Sequence, residues 1–134
     1  MKKMSKFSFK KTFKGKTVIV TGHTGFKGSW LTLWLTSLGA NVIGISSGIP
    51  SNPSHFKILS LKKKIINKNI DIRNLKKLKN LFINYKPNFV FHLAAQSLVK
   101  ESYVDPIYTF QTNSIGTLNV LESLKKLKNK CTAI

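Results

Sequence analysis

The spacing of hydrophobic positions along this chain changes period several times, and each change marks an element. The first is "KTVIVTG", residues 16–22, where an unbroken β-branched run ends in glycine. Such a run suits a strand covered on both faces, as in a parallel sheet. From Phe26 to Leu38 the spacing becomes helical, with Trp30 and Trp34 four apart and Leu31 and Leu35 likewise. Gly39 follows as a stop. This segment predicts a helix whose two tryptophans pack into the core against a sheet. "NVIGIS", residues 41–46, reads as a second strand, and the Ser-, Pro- and Asn-rich residues 47–60 as a loop.

A weaker third strand is expected in "KIINKNI", ending at Ile70 with Asp71 just beyond. Leu75, Leu78, Leu81, Phe82 and Tyr85 then recur at helical spacing, with lysines on the opposite face. "PNFVFHLAA" is a buried strand that runs into small residues. Asp105 and Pro106 supply an N-cap and a first helical position. They predict a helix to about Lys128 that carries Ile107, Phe110, Leu118 and Leu121 inward. "CTAI", residues 131–134, begins a further strand.

Strands that alternate with helices in this way make a parallel sheet with crossover connections. With the first strand central, the order is 3-2-1-4 with a fifth strand next. The fold class is α/β, a Rossmann-like doubly wound parallel sheet truncated at the start of the fifth strand. Residues 1–14 read as a basic tail with Phe7, Phe9 and Phe13 as docking points, and 15–134 as the N-terminal part of a dinucleotide-binding domain. With the fifth strand only begun, the fourth is expected to present an unpaired edge. Poor solubility or partner dependence would follow for the isolated chain.

Composition modifies this picture little. At 134 residues the chain makes about one domain. It has no apolar run of the roughly 18 residues a membrane span needs, and no secretory leader pattern. A lone Cys131 cannot form an internal disulfide, which fits a reducing compartment or is uninformative, and cytoplasmic is the default expectation. The formal charge of +19 invites a nucleic-acid interpretation. Yet Arg73 is the only arginine among 23 basic residues, and base-reading and bidentate phosphate contacts favour arginine. A solvated lysine surface with no specific nucleic-acid partner is the expectation. A basic nucleic-acid-binding module is the alternative from another class, and it would show steep salt dependence and no response to a dinucleotide. The four acidic residues, Asp71, Glu101, Asp105 and Glu122, form no metal-ligand cluster and no acid–base pair.

The densest chemistry lies in "TGHTGFKGSW", where Gly22, Gly25 and Gly28 recur at three-residue spacing between a strand and a helix. In a doubly wound sheet this turn sits at the topological switch point. The first glycine permits the tight turn, the next lets backbone approach a pyrophosphate, and the last lets helix pack on strand. The helix N-terminus adds free N–H groups and partial positive charge. A phosphate-loop nucleoside triphosphatase is disfavoured, because Lys27 precedes Gly28 instead of following it.

Together, "TVIVTGHTGFKGSWLTLWLTSLGANVIG" and "NFVFHLAAQSLVKESYVDPIYTFQTNSIGTLNVLE" resemble the extended short-chain dehydrogenase/reductase family, and within it the CDP-glucose 4,6-dehydratases. The resemblance covers residues 13 to about 130. It implies NAD as cofactor and a nucleotide sugar, CDP-glucose, as substrate. A hydride leaves C4 of the hexose, the ketone acidifies C5, water leaves across C5–C6, and the hydride returns to C6. By the same resemblance Gly22, His23, Thr24, Gly25, Phe26, Lys27 and Gly28 would form the cofactor's pyrophosphate loop. Asp71 and Ile72 would meet the adenine, and Leu93, Ala94, Ala95 and Gln96 the nicotinamide. Asn113 would stand in the helix that buttresses the site, while Ser97, Ser102 and Tyr103 would face the sugar nucleotide. A homodimer is implied for the full-length protein. Residue by residue, simpler roles remain open. Asp71 can cap a turn, Asn113 can be a satisfied helix amide, His92 a hydrogen-bonded core histidine, and His55 a solvated loop residue.

Two departures stand out. After the second strand, "GISSGIPS" offers Ser46 and Ser47 where NAD-binding members carry an acidic residue for the adenosine ribose. His23 is a candidate to supply part of that contact. Second, the family's Tyr-x-x-x-Lys pair is absent: Phe89, Ile107 and Thr112 follow Tyr85, Tyr103 and Tyr108 at the fourth place. No catalytic residue is therefore assigned, and this chain is expected to be a cofactor-binding part cut short. A nucleotide-sugar epimerase, another sugar-nucleotide dehydratase, or a non-catalytic NAD-binding regulator stay open beside the leading interpretation.

Overall fold

A computed structural model describes residues 9–134. Five parallel strands form one sheet in the order β3-β2-β1-β4-β5, the doubly wound order expected. β1 (Thr17–Thr21) lies at the centre, between β2 (Asn41–Ser46) and β4 (Phe89–His92). Its register sets Ile19 beside both Ile43 and Val90. Because side chains alternate across a strand, neighbouring β1 residues feed two different cores. Ile19, Ile43, Ile45 and Val90 pack with Leu78, Leu81 and Phe82 of helix α4 (Leu75–Tyr85). Val18 and Val20 on the other face pack with Leu35 of helix α2 (Phe26–Ser37) and with Phe13.

Several expectations change. Residues Phe9–Phe13 form a short helix, α1, instead of a tail; Phe13 is buried against Phe89 and Phe91, and Phe9 sits edge-on to Trp34. Phe7 lies outside the described residues. The segment read as a loop contains a helical turn, α3 (His55–Ile58), capped by the Ser54 side chain, before β3 (Ile66–Asn69). Trp30 and Trp34 are about half exposed and lie outside the sheet core. Gly28, Ser29, Thr32 and Leu35 face the strands, since small side chains let α2 approach β1 closely.

A second helical face is reversed. After α5 (Val99–Val104), which the sequence pattern did not suggest, Asp105 caps α6 (Pro106–Phe110) as expected. A π-helical turn, Gln111–Ile115, then leads into α7 (Gly116–Leu124). Ile107, Phe110, Leu118 and Leu121, expected inward, are exposed, while Thr112, Gly116, Asn119, Val120 and Ser123 face inward. A Cβ on Gly116 would lie 2.5 Å from Ile72 Cδ1. The Asn119 amide donates to the carbonyls of Ile72 and Arg73. Close backbone approach and a paired amide thus hold this helix where larger apolar residues would not fit.

Nor is the edge of β4 left open. β5 (Thr132–Ala133) pairs with it, Phe89 beside Thr132 and Val90 beside Ala133. No helix among the described residues is long and apolar enough to cross a membrane.

The reversal predicts a contrast between two phenylalanines. Phe82→Ala should cost about 3–5 kcal/mol by chemical denaturation, the usual penalty of an emptied core site. Phe110→Ala, on the exposed row, should cost less than about 0.5 kcal/mol in the same chain. Equal losses would contradict this orientation of the helix.

Candidate dinucleotide site

The turn between β1 and α2 shows why three glycines are needed. Gly22 has φ +71°, and a Cβ there would sit 2.8 Å from the Ala94 nitrogen and from the Leu93 carbonyl carbon. A Cβ on Gly28 would fall 2.1 Å from the Gly22 carbonyl oxygen. Both glycines are required by contact within the chain itself. Gly25 is different: a Cβ would meet only the Gly22 oxygen, at 3.4 Å, and the residue borders open space.

That space is a cleft of about 790 Å³ at the C-terminal ends of β1, β2 and β4, where the connections depart to opposite faces of the sheet. Open α/β sheets bind ligands at this place. Gly22, Thr24, Gly25, Phe26, Lys27 and Gly28 line it from the turn and the start of α2. Among the described residues, nothing accepts a hydrogen bond from the backbone N–H of Phe26, Lys27 or Gly28, and no side chain caps the helix. Three free donors and the positive end of a 12-residue helix therefore open on the cleft. Asp71 and Ile72 border it after β3, and Leu93, Ala94, Ala95 and Ser97 after β4.

Asp71 has two roles in this geometry. Its carboxylate accepts from the backbone N–H of Arg73 at 2.8 Å and pairs with the guanidinium at 2.6 Å. These hydrogen bonds from Arg73 hold its pKa below the usual carboxylate value. The same side chain borders the cleft, so turn-capping and a place at the site coexist.

His23 does not reach the site. Its imidazole is fully buried, 2.6 Å from Asn67 Oδ1 and edge-on to Phe56. It rests on Gly44, where a Cβ would lie 2.3 Å from the ring. A ribose contact from this side chain is thereby contradicted, because β2 and β3 enclose the ring beneath the turn. Gln96 also turns away: its side chain bonds the backbone of Leu98 and the Thr109 hydroxyl. Asn113 stands behind it, accepting from the Gln96 N–H at 2.8 Å and donating to its carbonyl at 2.9 Å. The π-helical turn supplies this amide to the β4 turn as a two-point clamp. Ser102 donates within its own helix to Val99, and the Tyr103 side chain is exposed; neither borders the cleft. His55 is not simply solvated: its ring lies tilted against Phe26 and edge-on to Trp30.

His92 organises the "HLAA" turn. The Thr21 hydroxyl oxygen accepts from the N–H groups of Leu93 and Ala94, both at 3.1 Å, so its proton goes to His92 Nδ1, 2.7 Å away. The network thereby assigns the histidine proton to Nε2, which donates to Thr117 Oγ1 at 2.9 Å. Thr117 in turn donates to the Asn113 carbonyl. A chain of hydrogen bonds thus ties β1, the β4 turn and the helix carrying the Asn113 clamp.

Tyr108 and Thr112 also line the cleft and were missed. They lie four apart on the same inward face as Gly116 and Asn119, a face of small and polar residues without a hydrophobic pattern to reveal it. Tyr108 further stacks with Arg73, 4.6 Å from guanidinium to ring centre.

A doubly wound sheet with this glycine turn and cleft defines a dinucleotide-binding domain of the Rossmann type. The chain belongs to the family described as GDP-mannose 4,6 dehydratase, whose model matches residues 19–134. A CDP-glucose 4,6-dehydratase of Salmonella typhimurium is 49% identical over 120 residues, 90% of this chain and 33% of that protein. A CDP-paratose 2-epimerase of Salmonella typhi is 32% identical, over 87% of this chain and 35% of that protein. Among solved structures, the UDP-glucose 4-epimerase of Thermus thermophilus in complex with NAD superposes with a TM-score of 0.72 at 31% identity. That match covers 82% of this chain and 34% of the epimerase. The chain therefore spans about a third of the length of the relatives it matches.

Burial lowers the pKa of His23 and of His92 from the ordinary histidine value. The unfolded chain consequently binds more protons than the folded one once pH falls below about 6.5. Stability should be level from about pH 7 to 8 and decline below about 6.5 through the lower folded-state values. Denaturant midpoints measured across that range should show the decline, and His92→Gln should make it shallower. A midpoint that ignores pH in both proteins would contradict it.

Proposed function

We propose that this chain is the NAD-binding part of a nucleotide-sugar 4,6-dehydratase, a lyase that acts on CDP-glucose. The observation that carries the proposal is the free first turn of α2, which opens on the cleft at Gly25, the one turn glycine not required by packing. The fit is chemical as well as spatial. Three unpaired N–H groups and Lys27 suit a pyrophosphate, and the small side chains of Ala94 and Ala95 leave room for a flat ring. Phe26, Lys27 and Gly28 would hold the diphosphate, Asp71 and Ile72 the adenine, and Leu93, Ala94 and Ala95 the nicotinamide.

When bound, NAD supplies reversible hydride acceptance from the hexose C4, and the ketone so formed lets water leave across C5–C6. This chain's own residues bind and orient. Thr21, His92 and Thr117 hold the β4 turn in register with the glycine turn, and Asn113 fixes the backbone of Gln96 beside Ser97. Acid–base chemistry is not assigned to any of them, since no Tyr-x-x-x-Lys pair occurs here. The gap between 49% identity to a CDP-glucose 4,6-dehydratase and 30–36% to other sugar-nucleotide dehydratases and epimerases supports that enzyme's reaction over the rest. The exposed row Ile107, Phe110, Leu118 and Leu121 supports a homodimer for the full-length protein.

Calorimetric titration should show NAD binding to this chain, with no turnover of CDP-glucose by the chain alone. Gly25→Val should weaken NAD tenfold or more at a stability cost of about 1 kcal/mol, the usual penalty for an apolar side chain at an N-cap. Unchanged affinity in that variant would place the dinucleotide elsewhere.

A further inference from the structure

The end of β2 shows how this site treats the adenosine ribose. In sheets of this kind a carboxylate at that point accepts from the ribose 2′-hydroxyl and repels a 2′-phosphate, whereas a nearby arginine welcomes the phosphate. Here the position holds neither. Ser46 ends β2, and its hydroxyl lies 2.8 Å from Thr24 Oγ1 and 2.7 Å from the Gly48 carbonyl, which Thr24 also reaches at 2.6 Å. Two neutral hydroxyls thus close the corner, and the Ser47 side chain beside them is exposed and borders the cleft.

Charge around the rest of the cleft points the same way. Of the chain's four acidic residues only Asp71 lines it, and that carboxylate is already paired with Arg73 at 2.6 Å. Lys27 adds a positive charge from the first turn of α2. A further phosphate would meet the exposed Ser47 hydroxyl and a net positive field instead of a like charge.

Resting on the interpretation of the cleft as a dinucleotide site, we propose that it does not exclude a 2′-phosphate: NAD and NADP bind with affinities within about tenfold of each other. Ser46 and Ser47 are the positions that set this tolerance. A carboxylate at either one would introduce discrimination through like-charge repulsion, and at Ser47 also through a lost donor.

The test is calorimetric titration of the unmodified chain with NAD and with NADP at the same ionic strength. Dissociation constants within tenfold support the proposal. NAD binding with NADP weaker by more than tenfold overturns it while leaving the dinucleotide site intact. Failure of both to bind overturns the site and the proposal together. Ser46→Asp should shift the NADP-to-NAD ratio at least tenfold against NADP. Because that aspartate would face the Gly48 carbonyl, Ser47→Asp, at an exposed position, is the second variant. A ratio unmoved in a folded Ser47→Asp chain would overturn the assignment of this corner.

Discussion

Everything at the functional end of this molecule depends on how closely α2 approaches the end of β1. With only 2.1 Å between a hypothetical Gly28 Cβ and the Gly22 carbonyl, no side chain fits at that crossing. The same tightness recurs where Gly22 passes under the β4 turn at Leu93 and Ala94. Two glycines are therefore consumed by contact of the chain with itself. Their consequence is positional: they bring the first turn of α2 over the edge of the central strand, where its free N–H groups face the cleft.

Around that crossing the polar network is built from neutral, short side chains. Thr21, His92, Thr117 and Asn113 connect three elements without an ion pair, and His23 with Asn67 does the same beneath the turn. In a chain of formal charge +19, whose four carboxylates lie elsewhere or are already paired, this has a physical logic. Burying lysines would be costly, while hydroxyls, amides and neutral imidazoles pair at lower desolvation cost, although His23 Nδ1 is buried without a partner among the described residues. The lysines remain on the outer faces, as along α4, and the site keeps a mild positive field from Lys27 and the helix end.

The helical run from Pro106 to Leu124 illustrates how an amphipathic pattern can mislead. Ile107, Phe110, Leu118 and Leu121 form a regular apolar row, but they face away from the sheet. The inward side is the small and polar one, because Gly116 must clear Ile72 and Asn119 must reach two carbonyls. Hydrophobic spacing alone does not tell which face of a helix meets the sheet. Tyr108 and Thr112 reach the cleft on this inner face, which is why the pattern concealed them.

Strand order, the glycine turn and the residues at the three strand ends were legible in the sequence, since each rests on local rules. A β-branched run makes a strand, glycine spacing permits a turn, and a crossover between parallel strands has one favoured hand. The sequence by itself therefore determined the doubly wound class and the position of the cleft. Only the tertiary structure decided which side chains enter that cleft. His23, inside the glycine motif, is drawn down against Gly44 and Asn67, and Gln96 is taken up by Leu98 and Thr109, while Ser46 and Thr24 share the Gly48 carbonyl. Each outcome turns on a partner distant in sequence or on a clearance of tenths of an ångström, and neither is written in local spacing.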